Sequence, residues 1–195
     1  MKVLILTSDG LRHGYFASKI IEYFYDSILL VEKKKNYYEA QIKDSKLIEE
    51  HFKKIKSTEK KWFDVAYNKN EYNLVDDLNN KNILNWVKKQ NFGLVCLFGT
   101  VILNNDWIRM FPKKIINLHL GLSPYYRGSA TLFWPFVNNE LEYLGTTIHI
   151  ASEKVDAGEI LHRVYANIFP KQNYYDVTSS LINDSINIFP KITEF

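Results

Sequence analysis

The sequence predicts an α/β fold built on a mostly parallel central sheet. Three features carry that expectation: a strand–turn–helix–strand unit at the N-terminus, a second buried apolar run at Phe92–Phe98, and alternating strands and helices from there to a closing helix. A strand, helix and strand in succession imply parallel pairing with a right-handed crossover. A chain of 195 residues fits one domain over 1–195 and can bury a substantial core.

Val3–Thr7 is short, apolar and rich in β-formers, so it reads as a buried strand. Ser8-Asp9-Gly10 is turn chemistry. Leu11–Tyr25 places Phe16, Ile20 and Tyr23 at helical spacing, and Ser27–Val31 is the second strand. Glu32–Lys61 is charged, and Ile42, Leu47, Ile48, Phe52 and Ile55 recur at helical intervals, which predicts a helical excursion packed against the body. It either caps a cleft or makes a subunit contact, which leaves a homodimer open. Phe63–Asp77 is polar and rich in Asn turns. Lys81–Gln90 is a helix, Phe92–Phe98 a strand, and Asn105–Met110 a short helix ended by Pro112. Ile115–Leu118 is a strand, His119–Ser129 a loop, and Thr131–Asn138 a short helix. Tyr143–Ile150 is a strand, Glu153–Gly158 a loop, Glu159–Ala166 a strand and Tyr174–Ile192 the closing helix.

Composition excludes several classes. The net charge of +3 is small, and its Lys excess alternates with Glu in Glu32–Lys61, so no one-sided nucleic-acid footprint exists. The single cysteine, Cys96, forbids an intramolecular disulfide and leaves no Cys/His zinc spacing. It sits in the apolar Leu94–Phe98 run without a charged neighbour and reads as an inert thiol. No apolar stretch is long enough to span a membrane, and the N-terminus lacks a signal-peptide pattern. The cytoplasm is the default compartment.

Sites in such sheets lie at the carboxyl ends of the strands. Asn117 and His119, two apart at the end of Ile115–Leu118, share one face if the backbone stays extended. Asp156 follows Tyr143–Ile150, and it reaches the same edge if the two strands run parallel. Singly, each is an ordinary loop residue; an Asp before Ala-Gly is a common turn former. The joint pattern is more specific.

The stretch Ile116-Asn-Leu-His-Leu-Gly-Leu-Ser-Pro-Tyr-Tyr-Arg-Gly128, with Gly145-Thr-Thr-Ile-His149 and Val155-Asp-Ala-Gly158, resembles the folate-dependent formyltransferase family. That family's pattern is an Asn, an apolar residue, a His, a loop with Pro and then Gly, and later an Asp-x-Gly. The resemblance is strong from about Leu94 to Arg163. It departs at Gly121, where the family commonly has Ser. The implied fold is a Rossmann-like three-layer sandwich, and the implied activity is transfer of a formyl group from 10-formyltetrahydrofolate to an amine, without a metal.

The resemblance implies roles for particular residues. Asn117, His119 and Asp156 would be catalytic. Asn117 and a protonated His119 would stabilise the oxyanion, with Asp156 raising the His119 pKa and taking the amine proton. His149 would support the site. Tyr126 and Arg127 would touch substrate or orient the site, with a solvated loop as the competing reading, and Ser123–Pro124 would be cis. The folate would lie along Leu97, Phe98, Gly99, Thr100, Val101 and Ile102, and along Ser152 and Val155. For the apolar members, ordinary core packing is the competing reading. Asp9–Gly14 is not a dinucleotide fingerprint, but Gly10, Arg12 and His13 at a helix start suit a phosphate. The Tyr125–Pro135 stretch looks like enzymes that formylate nucleotide-linked amino sugars. Glycinamide ribonucleotide is the alternative acceptor. Transfer-RNA is disfavoured because its formyltransferases continue into a further domain. A formylfolate hydrolase and a non-catalytic folate- or nucleotide-binding module are the rival classes.

Overall fold

The computed structural model describes residues 1–33, 45–64 and 73–194. Seven strands form one sheet: β1 (Val3–Ser8), β2 (Ser27–Glu32), β3 (Asn73–Val75), β4 (Leu94–Phe98), β5 (Ile115–His119), β6 (Gly145–Ile150) and β7 (Ile160–Tyr165). Their order is β3-β2-β1-β4-β5-β6-β7. Pairing is parallel from β3 through β5 and antiparallel from β5 through β7. Among the described residues the helices are α1 (Leu11–Tyr23), α2 (Lys46–Trp62), α3 (Lys81–Lys88), α4 (Asn105–Met110), α5 (Trp134–Val137) and α6 (Tyr174–Ile192).

The central strands are apolar on both faces because helices cover both. Val3 and Ile5 of β1 enter one core cluster, with Phe16 and Ile20 of α1 and Leu181 and Phe189 of α6. Leu4 and Leu6 enter the other, with Leu84 of α3 and Trp107 of α4. Strand alternation therefore feeds two cores from one run. Cys96 is fully buried, and burial pushes its thiol up, which agrees with an inert role. Asn80, Asn104 and Asn173 begin α3, α4 and α6, each side-chain carbonyl accepting the N–H two residues on.

Three expectations need correction. Tyr143–Ile150 is not one strand: Leu141–Tyr143 is a 3₁₀ turn, and the strand begins at Gly145. That strand runs antiparallel to β5, not parallel. Thr131–Asn138 contains only the four-residue α5. In the charged excursion, Glu32 closes β2 and is buried, and the helix spans Lys46–Trp62. Helix α2 packs on α1 and α6, yet Leu47, Ile48 and Phe52 are exposed. Ile42 lies outside the described residues. No helix among the described residues is long and apolar enough to cross a membrane.

Candidate active site

Asn117 and His119 alternate with Ile116 and Leu118, which enter the α1/α6 core, so the two polar residues face the opposite side. His149 of β6 is the cross-strand partner of Asn117 and shares that side. Antiparallel pairing sends the end of β6 to the wrong end of β5 for Asp156. The 151–158 loop corrects this by folding back over the sheet face. Two features allow its shape. Asp156 adopts φ 50°, a left-handed conformation that Asp tolerates better than most residues. At Gly158 a Cβ would lie 1.7 Å from the Ile150 carbonyl oxygen, so only glycine lets the loop return.

Four side chains converge. Asp156 Oδ2 is 3.3 Å from His119 Nδ1, and Oδ1 is 3.6 Å from His149 Nε2. Asn117 Nδ2 lies 3.1 Å from His149 Nε2, and His149 Nδ1 lies 3.0 Å from the Ile150 carbonyl. One assignment satisfies both contacts: His149 Nδ1–H donates to Ile150, and its Nε2 accepts from the Asn117 amide. One Asn117 N–H remains. His149 is therefore a member of the cluster that orients Asn117.

His119 differs. Its Nε2 is 2.9 Å from the Tyr126 carbonyl while its Nδ1 faces the Asp156 carboxylate. Both partners are acceptors, and a neutral ring can donate to only one. Burial pulls the His119 pKa below its usual value and outweighs the opposing pull of Asp156 and Tyr126, with His149 and Arg127 adding to the fall. The expectation that Asp156 raises it is thus overturned by desolvation, and the resting ring is neutral. A proton arriving at Nδ1 would complete the second hydrogen bond. For Asp156, burial pushes upward, but the neighbouring His149 and His119 rings and the Gly128 N–H hold the carboxyl below its usual value. It is a carboxylate at neutral pH.

The surrounding loop supplies residues that sequence reasoning did not assign. Gly128, at φ 90°, donates its N–H to Asp156 Oδ2 at 3.0 Å. Ser123 Oγ donates to the Asp156 carbonyl, Arg163 Nε donates to the Ser123 carbonyl, and Thr147 Oγ1 accepts from Ser123 N–H while donating to Gly121. Only the place of Gly121, Ser123, Gly128 and Thr147 inside the quoted motifs hinted at this, and Arg163 lies outside them. Ser123–Pro124 is cis. The departure at Gly121 has a structural reason: a Cβ there would lie 2.5 Å from both His119 Nε2 and the Tyr126 carbonyl oxygen, in the space through which they bond.

Other predicted residues are placed differently. The Tyr126 side chain bonds to Glu140 and Asn138, and its backbone carbonyl orients His119. Arg127 is exposed. Leu97 and Phe98 bury their side chains in opposite cores, leaving backbone only. Gly99 (φ 67°) lies against His13, whose ring packs on Phe98 and is buried, so His13 is not presented to a phosphate. Ile102 and Val155 are exposed, Thr100 caps Val101 O, and Ser152 Oγ donates to Lys154 O. Leu103 and Ala151, flanking the two stretches, pack on one core cluster. Gly10 caps α1, and Arg12 pairs with Glu59 at 3.1 Å. Ser8 Oγ and Arg12 Nε are buried without a hydrogen-bond partner among the described residues.

Comparison with known proteins decides the family. The sequence matches the family model described as formyl transferase over residues 2–193. The chain belongs to the formyl transferase family. It is 31% identical over 87 residues to a methionyl-tRNA formyltransferase of Desulforamulus reducens, covering 45% of this chain and 27% of that protein. It is 30% identical over 103 residues to a phosphoribosylglycinamide formyltransferase of Haemophilus influenzae, covering 52% of this chain and 48% of that protein. The match thus spans less than half the length of these curated relatives. Among solved structures, phosphoribosylglycinamide formyltransferase from Anaplasma phagocytophilum aligns with a TM-score of 0.68 at 17% identity, covering 100% of this chain and 85% of that one. A sugar N-formyltransferase from a Shewanella species gives 0.65 at 17% identity, covering 99% and 70%. These likenesses establish the Rossmann-like formyltransferase fold.

Proposed function

We propose that the chain transfers a formyl group from 10-formyltetrahydrofolate to the primary amine of a phosphate-bearing small molecule. The observation that carries this reading is the meeting of Asn117, His149, Asp156 and His119 on one sheet face, each 3.1–3.6 Å from the next in that order. As the amine bonds to the formyl carbon, negative charge gathers on the formyl oxygen. The remaining Asn117 N–H is the donor for it, a contribution of about 3 kcal/mol for a donor preset in this way. The amine's proton moves to the His119–Asp156 pair, where it relieves the contact between two acceptors. The imidazolium so formed adds positive charge while the oxyanion exists. When the C–N bond to the folate breaks, the same proton passes to the leaving nitrogen, so proton and charge balance.

Two features support a phosphate-bearing acceptor. The first is the buried, unpartnered Ser8 Oγ and Arg12 Nε beside the N-terminus of α1. The second is the exposure of Tyr125 and Phe133 in the loop after β5 and of Trp134 at the start of α5, which suits the planar base of a nucleotide-linked amino sugar. Glycinamide ribonucleotide shares the phosphate but not the base.

The test is a thermal-shift and turnover screen of nucleotide-linked amino sugars and glycinamide ribonucleotide with a stable formylfolate analogue. Selective stabilisation plus N-formyl product names the acceptor. Breakdown of 10-formyltetrahydrofolate without any amine would replace transfer by hydrolysis. Unchanged product formation in His119→Ala would refute the catalytic assignment.

A further inference from the structure

Glu32 is the last residue of β2 and is buried, 4% exposed. A buried carboxylate is costly unless something satisfies it. No cation pairs with it among the described residues. Instead its Oε1 accepts the Leu78 N–H at 3.1 Å and its Oε2 accepts the Val101 N–H at 2.9 Å. Its backbone carbonyl accepts the Asp9 N–H at 3.3 Å. One residue therefore ties together the β1–α1 turn, the turn before α3 and the loop after β4. These are three loops at the carboxyl edge of the sheet, where ligands bind in such folds.

A second strut runs between the same two loops. Asn79 Nδ2 donates to the Ile102 carbonyl at 3.0 Å, and Asn79 Oδ1 accepts from Asn104 N–H at 2.8 Å. Trp107 Nε1 donates to the Leu78 carbonyl at 3.1 Å, fixing the turn that carries Asn79. The 99–104 loop is thus held from the β2/β3 side, and Leu103 at its end packs on the same core cluster as Ala151. The neutral groups of the loop are backbone, so their positions depend on what anchors the chain.

We infer that Glu32 is a positioning residue for the formyl donor. It fixes the Gly99–Leu103 backbone in the shape that receives the pterin, and it acts through Val101 rather than by touching the ligand. The inference rests on the formyl-transfer reading above. It implies a separation of effects: loosening the loop weakens donor binding, whereas the Asn117, His119 and Asp156 chemistry stays intact.

Glu32→Gln tests it. Glutamine keeps size and one acceptor but turns an NH₂ against one of the two backbone N–H groups. The expected result is a KM for 10-formyltetrahydrofolate raised about tenfold with kcat within about twofold. Faster amide hydrogen exchange at Leu78 or Val101 is expected alongside. Asn79→Ala, which leaves Glu32 in place, is expected to raise the same KM about threefold, and it decides the matter if Glu32→Gln does not fold. An unchanged KM in both variants, or a fall in kcat with KM unchanged, overturns the inference. Absence of formyl transfer by the unsubstituted protein would sink the function instead, and the exchange measurement would still report whether the clamp exists.

Discussion

Two corners of the carboxyl edge are built on opposite plans. At the β5–β6 corner, Asn117, His149, Asp156 and Ser123 all have hydrogen-bond partners, many of them backbone groups from the two covering loops. At the β1–α1 corner, Ser8 Oγ and Arg12 Nε are buried with no partner among the described residues, although Arg12 still reaches Glu59. A satisfied network resists rearrangement, and an unsatisfied buried group costs free energy until a ligand pairs it. The first corner is ready for chemistry before substrate arrives. In the proposed reading the second awaits an anion. Two acceptor pairs face each other in the first corner, Asp156 against His149 Nε2 and Asp156 against His119 Nδ1, and the second lies where the proposed proton transfer occurs.

The comparison breaks at its strongest point if Asn117 is dispensable. Asn117→Ala should lower kcat by about two to three orders of magnitude, since it removes a preset donor, and leave the folate KM nearly unchanged. Steady-state kinetics with varied donor checks this. Gly121→Ala should cost about 2 kcal/mol in urea unfolding, because the added Cβ intrudes between His119 and Tyr126. A neutral result would mean that the corner is softer than its contacts suggest. At the other corner, Arg12→Gln should raise the KM of a phosphate-bearing acceptor about tenfold with kcat little changed. An effect on kcat alone would remove the anion from that corner.

The smallest effect is on stability against pH. His119 has a folded pKa below 6.5, so the unfolded state takes up the proton first. Stability contributed by the neutral ring is present above pH 6.5, falls as pH descends through that value and levels off below the folded one. Asp156, held below 3.8, adds a loss only in stronger acid. Urea midpoints of the unsubstituted protein and His119→Asn should therefore converge on acidification through pH 6.5. Parallel curves would show that His119 is not buried neutral.

Much of this was legible in the sequence, and unevenly so. Strands β1, β2, β4 and β5 and the α6 span were readable because apolar runs and helical spacing are local signals, whereas β3, three residues inside the polar Phe63–Asp77 stretch, was not. The direction of β6 was not, because strand polarity depends on tertiary pairing. Asp156 was therefore placed at the right site for the wrong reason: the expected parallel strand is antiparallel, and a Gly158-dependent loop restores the contact. The His119 pKa was misjudged because a neighbouring carboxylate is visible in a motif whereas depth of burial is not. Tyr126 was expected to touch substrate or to orient the site, and it holds His119 through its backbone carbonyl, a contact that side-chain identity does not reveal. Glu32 went unremarked as a residue in its own right because its partners, Leu78 and Val101, are distant in sequence and bond through backbone.

The most direct test is a single-turnover double-mutant cycle with formyl-labelled 10-formyltetrahydrofolate and the accepted amine. If His119 and Asp156 handle one proton as a pair, His119→Ala and Asp156→Asn each slow label transfer about a thousandfold, and the double variant is no slower than the slower single. Rates for the double variant equal to the product of the two single losses, or either single variant near the unsubstituted rate, would contradict the account.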